Sequence, residues 1–180
     1  MGQIHPSSSH GHKFIITATD YFTKWVEAVP LTVASGKTVS MFILNYIICR
    51  YGIPSAIITD NGGQFKNKDL KELCAKFKIT QHWSSIYYPQ GNGQAEASNK
   101  TILKILLHIV CKSGRDWHLQ INPALWAYRT NIRTPTGATP FALVYGAEAV
   151  LPIEVEIPSL RVSLRGLITD EENRIPGYKS

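Results

Sequence analysis

Cysteine, acid and long apolar runs are all scarce in this chain. Its three cysteines, Cys49, Cys74 and Cys111, are odd in number, far apart and set within apolar helical patterns, and no CxxC pair exists. That excludes a disulfide framework and reads as reduced core thiols of an intracellular protein. His10-Gly11-His12 has no cysteine partners nearby, which speaks against a zinc knuckle. No run approaches the roughly 20 apolar residues of a membrane span, and no signal peptide is present, so a soluble, non-secreted protein is expected. There are no internal repeats. Acidic residues number 13 against 19 Lys and Arg, giving a net charge of +6 and a pI near 9.3. An acidic partner follows, with nucleic acid the leading candidate, although the cations are scattered and form no basic arm.

What is present is enough for one globular domain. At 180 residues, 44% hydrophobic and 18% charged, the chain can bury a core but is too short for two comfortable ones. Phe14–Thr19 reads as a strand with Phe14, Ile16, Ala18 and Asp20 on one face, and a second strand lies around Trp25–Pro30. Ser35 or Thr38 is placed to cap a helix carrying Val39, Phe42, Ile43, Tyr46 and Ile47, ended by Gly52 and Pro54. A second helix buries Leu70, Leu73, Cys74 and Phe77, and Thr80–Ser84 is a short edge-like strand. A long helix is expected from about Gln94 to Val110. A further one spans Asp116–Asn131, with Trp117, Leu125, Trp126 and Tyr128 in the core and Pro123 as a kink. Thr139-Pro140 starts a short helix that Gly146 closes. The order of elements gives an α/β class with a mixed sheet.

The stretch from Ser55 to Lys104 carries the chemistry. Ala56-Ile57-Ile58-Thr59 is short, apolar and β-branched, the pattern of a buried strand. Asp60 stands at its end, before the turn formed by Asn61-Gly62-Gly63. After 35 intervening residues, Glu96 opens a helix whose same face holds Lys100 and Lys104. Two carboxylates, one from a strand end and one from a helix start, suit a Mg²⁺ ion, which takes hard oxygen ligands plus substrate phosphates. Taken singly the signals are weak: Asp-Asn-Gly-Gly is usually a turn, and a first-turn Glu usually complements the helix dipole. His82 and Trp83 read as packing residues beside a strand.

Together with their flanking text the residues resemble something definite. DYFTKWVEAVPL (Asp20–Leu31), RYGIPSAIITDNGGQF (Arg50–Phe65), YYPQGNGQAEASNK (Tyr87–Lys100), LWAYRT (Leu125–Thr130) and TPTGATPFALVYG (Thr134–Gly146) resemble the integrase catalytic core of gypsy-type retrotransposons, kin to retroviral integrases. The resemblance implies a ribonuclease H-like fold, a mixed sheet flanked by helices. It implies metal-dependent joining of DNA ends, with Mg²⁺ or Mn²⁺ held by a catalytic Asp-Asp-Glu triad. Asp60 and Glu96 match its second and third members, and Gln94, Asn99, Lys100 and Lys104 are the expected DNA contacts. The first Asp of the family aligns just ahead of Met1. The expectation is therefore a truncated first, central strand, weak metal binding and a copy inactive alone. Asp20 is the low-odds substitute ligand, its favoured role being a local turn cap. The implied organisation is a frayed strand remnant and loop over 1–12, a core domain over 13–150 and an extended, partly disordered tail over 151–180. DNA and a second copy of the chain are the expected partners, with no membrane and no small-molecule cofactor, in the nucleus when with DNA. Two rival readings remain: a ribonuclease H-like nuclease, and a non-enzymatic, co-opted DNA-binding or interaction domain.

Overall fold

Alternating apolar residues over 14–31 fold into an antiparallel pair. Strand β2 (Phe14–Thr19) pairs with β3 (Val26–Leu31) in the register Ile15↔Pro30 and Thr17↔Ala28, and a two-residue β1 (Gly2–Gln3) adds to the other side of β2. The computed structural model describes residues 2–83 and 114–150. The second sheet is a parallel pair, β4 (Ala56–Thr59) beside β5 (Thr80–Trp83). Antiparallel and parallel pairings thus coexist, as the mixed-sheet expectation requires. Among the described residues β1 pairs with β2 alone and β4 with β5 alone.

Both faces of the antiparallel sheet are covered. Ile15, Val26 and Ala28 pack with Ile4 against Trp117, Ile121, Ala124, Leu125 and Tyr128. Ile16 points the other way, into a cluster with Val39, Phe42, Ile43, Phe65, Leu70, Cys74 and Ile79. Consecutive isoleucines in one strand therefore serve two cores, which is what period-two alternation between two helical layers produces.

The helices confirm most of the expected faces and revise their shapes. Helix α1 (Gly36–Phe42) starts at Ser35, whose Oγ accepts from Thr38 N–H while Thr38 Oγ1 accepts from Ser35 N–H, a reciprocal cap. It continues through a π-helical stretch, Ile43–Ile48, into a last turn α2 (Cys49–Tyr51) that Gly52 ends at φ 93°. Nothing in the local apolar spacing signals that widened stretch. Helix α3 (Lys68–Phe77) buries Leu70 and Cys74, with Leu73 and Phe77 packed beside them, as expected. The expected single helix over Asp116–Asn131 is two pieces: a 3₁₀ segment, Gly114–Gln120, and α4 (Ile121–Arg129). Pro123 does not kink it. It sits in the first turn of α4, where a missing N–H costs nothing. Helix α5 (Pro140–Tyr145) is capped by Thr139 and closed by Gly146 as read from the sequence.

Four further expectations are corrected. Strand β4 is not buried: Ile58 is 55% exposed and Ala56 is exposed, because the strand has a partner on one side only among the described residues. Trp126 is 38% exposed, one position off the buried stripe of Ile121, Ala124, Leu125 and Tyr128. Cys49 is exposed, on the last turn after the π-helical stretch, whereas Cys74 is buried and its thiol is pushed up in pKa by that burial. His82 and Trp83, at the end of β5, are both exposed and do not pack in the core. Lys66 Nζ instead lies 5.4 Å from the centre of the Trp83 ring. Cys111, the helix from Gln94 to Val110 and the tail over 151–180 lie outside the described residues.

Candidate active site

The strand-to-turn junction at Asp60 is built by local hydrogen bonding. One carboxylate oxygen of Asp60 accepts the Gly62 N–H at 2.8 Å, an Asx turn that folds the chain back directly after β4. Gly62 O then accepts the N–H of Phe65 at 2.9 Å, and Phe65 drops into the core beside Leu70 and Ile79. Its own carbonyl accepts Gln81 Nε2 from β5 at 3.3 Å, and Asn67 Oδ1 accepts Leu70 N–H at 2.9 Å to start α3. The loop 60–67 is thus pinned at both ends and in the middle. Gly62 leaves room for two side chains: a Cβ there would crowd the Gln64 amide and stand 2.8 Å from Asp60 Oδ1, so a larger residue would displace both. Asp60 is held at the exposed mouth of β4, where a hard-oxygen ligand can meet a cation and solvent.

The other sequence-derived positions divide cleanly. Glu96, Gln94, Asn99, Lys100 and Lys104 lie outside the described residues. Asp20 is a turn residue. Its Oδ2 accepts the Thr23 N–H at 2.8 Å and the Thr23 hydroxyl at 2.7 Å, and its backbone closes the β2–β3 hairpin with Trp25 and Lys24. That is the local capping role favoured from the sequence. Among the described residues no group of three or more His, Cys, Asp or Glu side chains is arranged to hold a metal ion. Asp60 by itself fits one carboxylate ligand of a hard divalent cation; a complete site needs donors from elsewhere in the chain or beyond it. The groove of about 270 Å³ between β3 and α1, lined by residues such as Val29, Met41, Phe42 and Tyr46, has no part in the Asp60 junction.

Sequence reasoning missed a second polar constellation, centred on Glu27 of β3. This carboxylate is 3% exposed, yet it accepts from Tyr51 Oη at 2.6 Å, Trp25 Nε1 at 3.1 Å and Arg129 Nη2 at 2.9 Å, with Arg50 Nη1 at 3.5 Å. Arg129 also donates from Nε and Nη2 to Val26 O at 3.0 and 2.6 Å, satisfying a carbonyl of β3, which among the described residues has a strand partner on one side only. Burial first, and then the hydrogen bond to Glu27, push the Tyr51 phenol well above its usual range. One signal was in the sequence: a lone Glu amid Val26, Ala28 and Val29. Nothing there named Arg50, Tyr51 and Arg129, which come from two helices later in the chain.

A parallel and an antiparallel pairing, with helices over both faces of the antiparallel sheet, make this an α/β domain, the class to which the ribonuclease H-like fold belongs. Residues 3–89 match the integrase core domain family. The chain is 34% identical to the Pol polyprotein of Radiation murine leukemia virus (strain Kaplan) over 139 residues, 77% of its own length and 24% of the relative's. It is 33% identical to the Gag-Pol polyprotein of Feline leukemia virus and 32% to that of Avian reticuloendotheliosis virus, spanning 8% and 12% of their lengths. Its fold is similar to the catalytic core domain of HTLV-2 integrase, solved in complex with magnesium in a trimeric form (TM-score 0.61, 23% identity, 80% of this chain and 93% of that one). It also resembles a chain of the simian T-cell lymphotropic virus intasome solved with the PP2A regulatory subunit B56 gamma (TM-score 0.66, 20% identity, 84% and 54%). Residues 3–89 thus match an integrase core domain, and the chain is similar over about three quarters of its length to retroviral Pol and Gag-Pol polyproteins, of which it spans less than a quarter. No helix among the described residues is long and apolar enough to cross a membrane.

Proposed function

We propose that this chain is a DNA-binding integrase core whose chemistry is metal-dependent polynucleotidyl transfer, with Asp60 and Glu96 as carboxylate ligands. The observation that carries the reading is Asp60 itself: an exposed carboxylate fixed by an Asx turn at the end of a strand, in a chain whose residues 3–89 match the integrase core domain family. A bound Mg²⁺ would supply activation of the attacking oxygen and charge neutralisation at the phosphate. Asp60 holds its carboxylate at the exposed end of β4, and Glu96 would supply the second carboxylate, with Lys100 and Lys104 close by in the sequence. Those lysines, with Gln94 and Asn99, contact phosphates and position the strand without reading its sequence. In this reading the chain brings two of the family's three carboxylates, Asp60 and Glu96, to the metal. It is a DNA-holding domain of the integration machinery, and a second copy of the chain is a natural partner.

Salt-dependent DNA binding tests the reading. The chain should hold duplex DNA without sequence preference, with affinity falling steeply as salt rises. Changing Lys100 and Lys104 together to Ala should flatten the log–log salt slope by up to about two units. An unchanged slope would remove Lys100 and Lys104 from the DNA surface, and the absence of any DNA binding would favour the interaction-domain reading.

A further inference from the structure

The loop between β1 and β2 brings His10 and His12 against a residue more than a hundred positions away. The His118 ring centre lies 4.6 Å from that of His10 and 5.2 Å from that of His12, and His10 and His12 are 6.3 Å apart. Three imidazoles thus share one contact, backed by the edge of the Trp117 ring 6.3 Å from His12. The loop is fastened around them. Ser8 is 1% exposed, and its hydroxyl shares a 2.9 Å hydrogen bond with His12 Nδ1 while accepting from the His12 N–H. Ser9 N–H donates to Arg115 O at 2.7 Å, Ser9 Oγ donates to Asp116 at 2.8 Å, and Trp117 Nε1 donates to Pro6 O at 3.1 Å.

The weak point of this fastening is His118. Both of its ring nitrogens are shut off from solvent, and among the described residues neither has a hydrogen-bond partner. A neutral imidazole tolerates that at some cost, but an imidazolium carries two N–H donors and a charge that both demand partners. The surroundings offer little relief. The charged groups of the two facing segments are Lys13 beside the loop and Arg115 and Asp116 on the 3₁₀ segment, with His5 as a further titratable ring. Asp116 is the one acid among them, and it is exposed and engaged by Ser9. A proton on any one ring repels a proton on the next.

We propose that His10, His12 and His118 form an acid-released clasp, which holds the β1–β2 loop on the 3₁₀ segment at neutral pH and lets go when the rings take up protons. The direction follows from linkage. The pKa of His12 is lowered from its usual value, by burial first and then by His118 and His10. The open loop therefore binds protons where the closed one does not, so closure is fully present above about pH 6.5 and is lost as pH falls below it. Release would loosen the attachment of β1, because Ile4, directly after it, hydrogen-bonds to Lys13 at the loop's far end. Histidine is the side chain suited to this range.

Amide hydrogen exchange on the intact chain, corrected for intrinsic rates, tests the clasp. Between pH 7.5 and 5.5, exchange over residues 6–12 and 114–118 should rise about tenfold or more, while helix α3 stays protected. In His118→Phe, which keeps a packed ring without nitrogens, that rise should largely vanish. The milder double change His10→Gln with His12→Gln should also blunt it, which guards against a packing artefact of the first variant. A rise shared equally by α3, no rise at all, or an undiminished rise in both variants would overturn the proposal. So would slower loop exchange at pH 7.5 on adding one equivalent of Zn²⁺ to the native chain but not to the variants, since the trio would then be a metal site.

Discussion

Glu27 shows at the scale of one residue how a charge can be buried and still belong. Its desolvation is offset by two guanidiniums, a phenol and an indole N–H, so the carboxylate's lone pairs are largely occupied. Breaking such an arrangement from one side is costly, because it strands the remaining charges. Glu27→Gln should lower unfolding stability by about 3 kcal/mol, the range for removing one partner of a buried pair. Urea unfolding would measure it, and a double-mutant cycle with Arg129→Met should show a coupling above about 1 kcal/mol. Tyr51 adds a pH signature. Its phenol is raised above the unfolded value near 10, so the folded state keeps a proton that the unfolded state has given up. That stabilisation is complete below about pH 10 and is lost as pH rises beyond it. Tyr51→Phe should abolish this alkaline loss and cost only about 1 kcal/mol at neutral pH, since the ring is 42% exposed. Alkaline denaturation curves that superimpose for the two proteins would refute the assignment.

The loop from Asp60 to Asn67 fixes two things at once at the scale of elements: where the acidic side chain points and where α3 begins. Asn67 caps α3 at Leu70 and also donates from Nδ2 to Gln64 O at 2.6 Å. The start of α1 closes over it, since a Cβ on Gly36 would stand 2.2 Å from the Asn67 side chain. Asn67→Ala should therefore cost about 1 kcal/mol as a lost helix cap. Gly36→Ala should cost a similar amount by pushing the cap out of place. If the two costs add in the double variant, measured by thermal unfolding, the steric route is wrong, because both changes would then act independently. Gly62→Ala is different in kind. It meets the flexible end of Gln64 and the Asp60 carboxylate, so stability should change by less than about 1 kcal/mol while the amide signal of residue 62 loses its Asx hydrogen-bond signature.

Element boundaries were legible wherever a local rule sets them. Ser35, Thr139, Pro140, Gly146 and the faces of α3 were all readable, because caps and 3.6-residue spacing act within a few positions. The open face of β4, the π-helical turn at Ile43–Ile48 and the outward Trp126 were not, since each depends on what packs beside the element. Of the site, Asp60 and its turn were legible from Asp-Asn-Gly-Gly, and the turn role of Asp20 from its motif. The Glu27 network and the histidine trio were hidden, because their partners are separated by up to about a hundred residues with no spacing rule between them.

Two sheet fragments stand in one domain at the scale of the whole molecule, a three-stranded antiparallel one ending in the two-residue β1 and a parallel pair beginning at β4. Asp60 stands where the parallel pair meets the loop to α3, so a cation held there would tie β4 to the segment that starts that helix. Under the proposed function Glu96 supplies a second carboxylate to the same metal site. Electrostatic stabilisation supplies the greater part of the rate enhancement in phosphoryl transfer, so a carboxylate removed from the metal site should slow the reaction by roughly a thousandfold or more. The comparison needs three proteins: the native chain, Asp60→Asn and Glu96→Gln. Thermal unfolding with and without Mn²⁺ reads metal binding, because an ion held only by the folded state raises the midpoint. A disintegration-type assay with Mn²⁺ reads the chemistry. A midpoint raised by Mn²⁺ in the native chain and in neither variant, with any turnover lost in both, is the expected pattern. An equal rise in all three proteins would mean that other groups hold the metal, and Asp20→Asn would then test the hairpin aspartate.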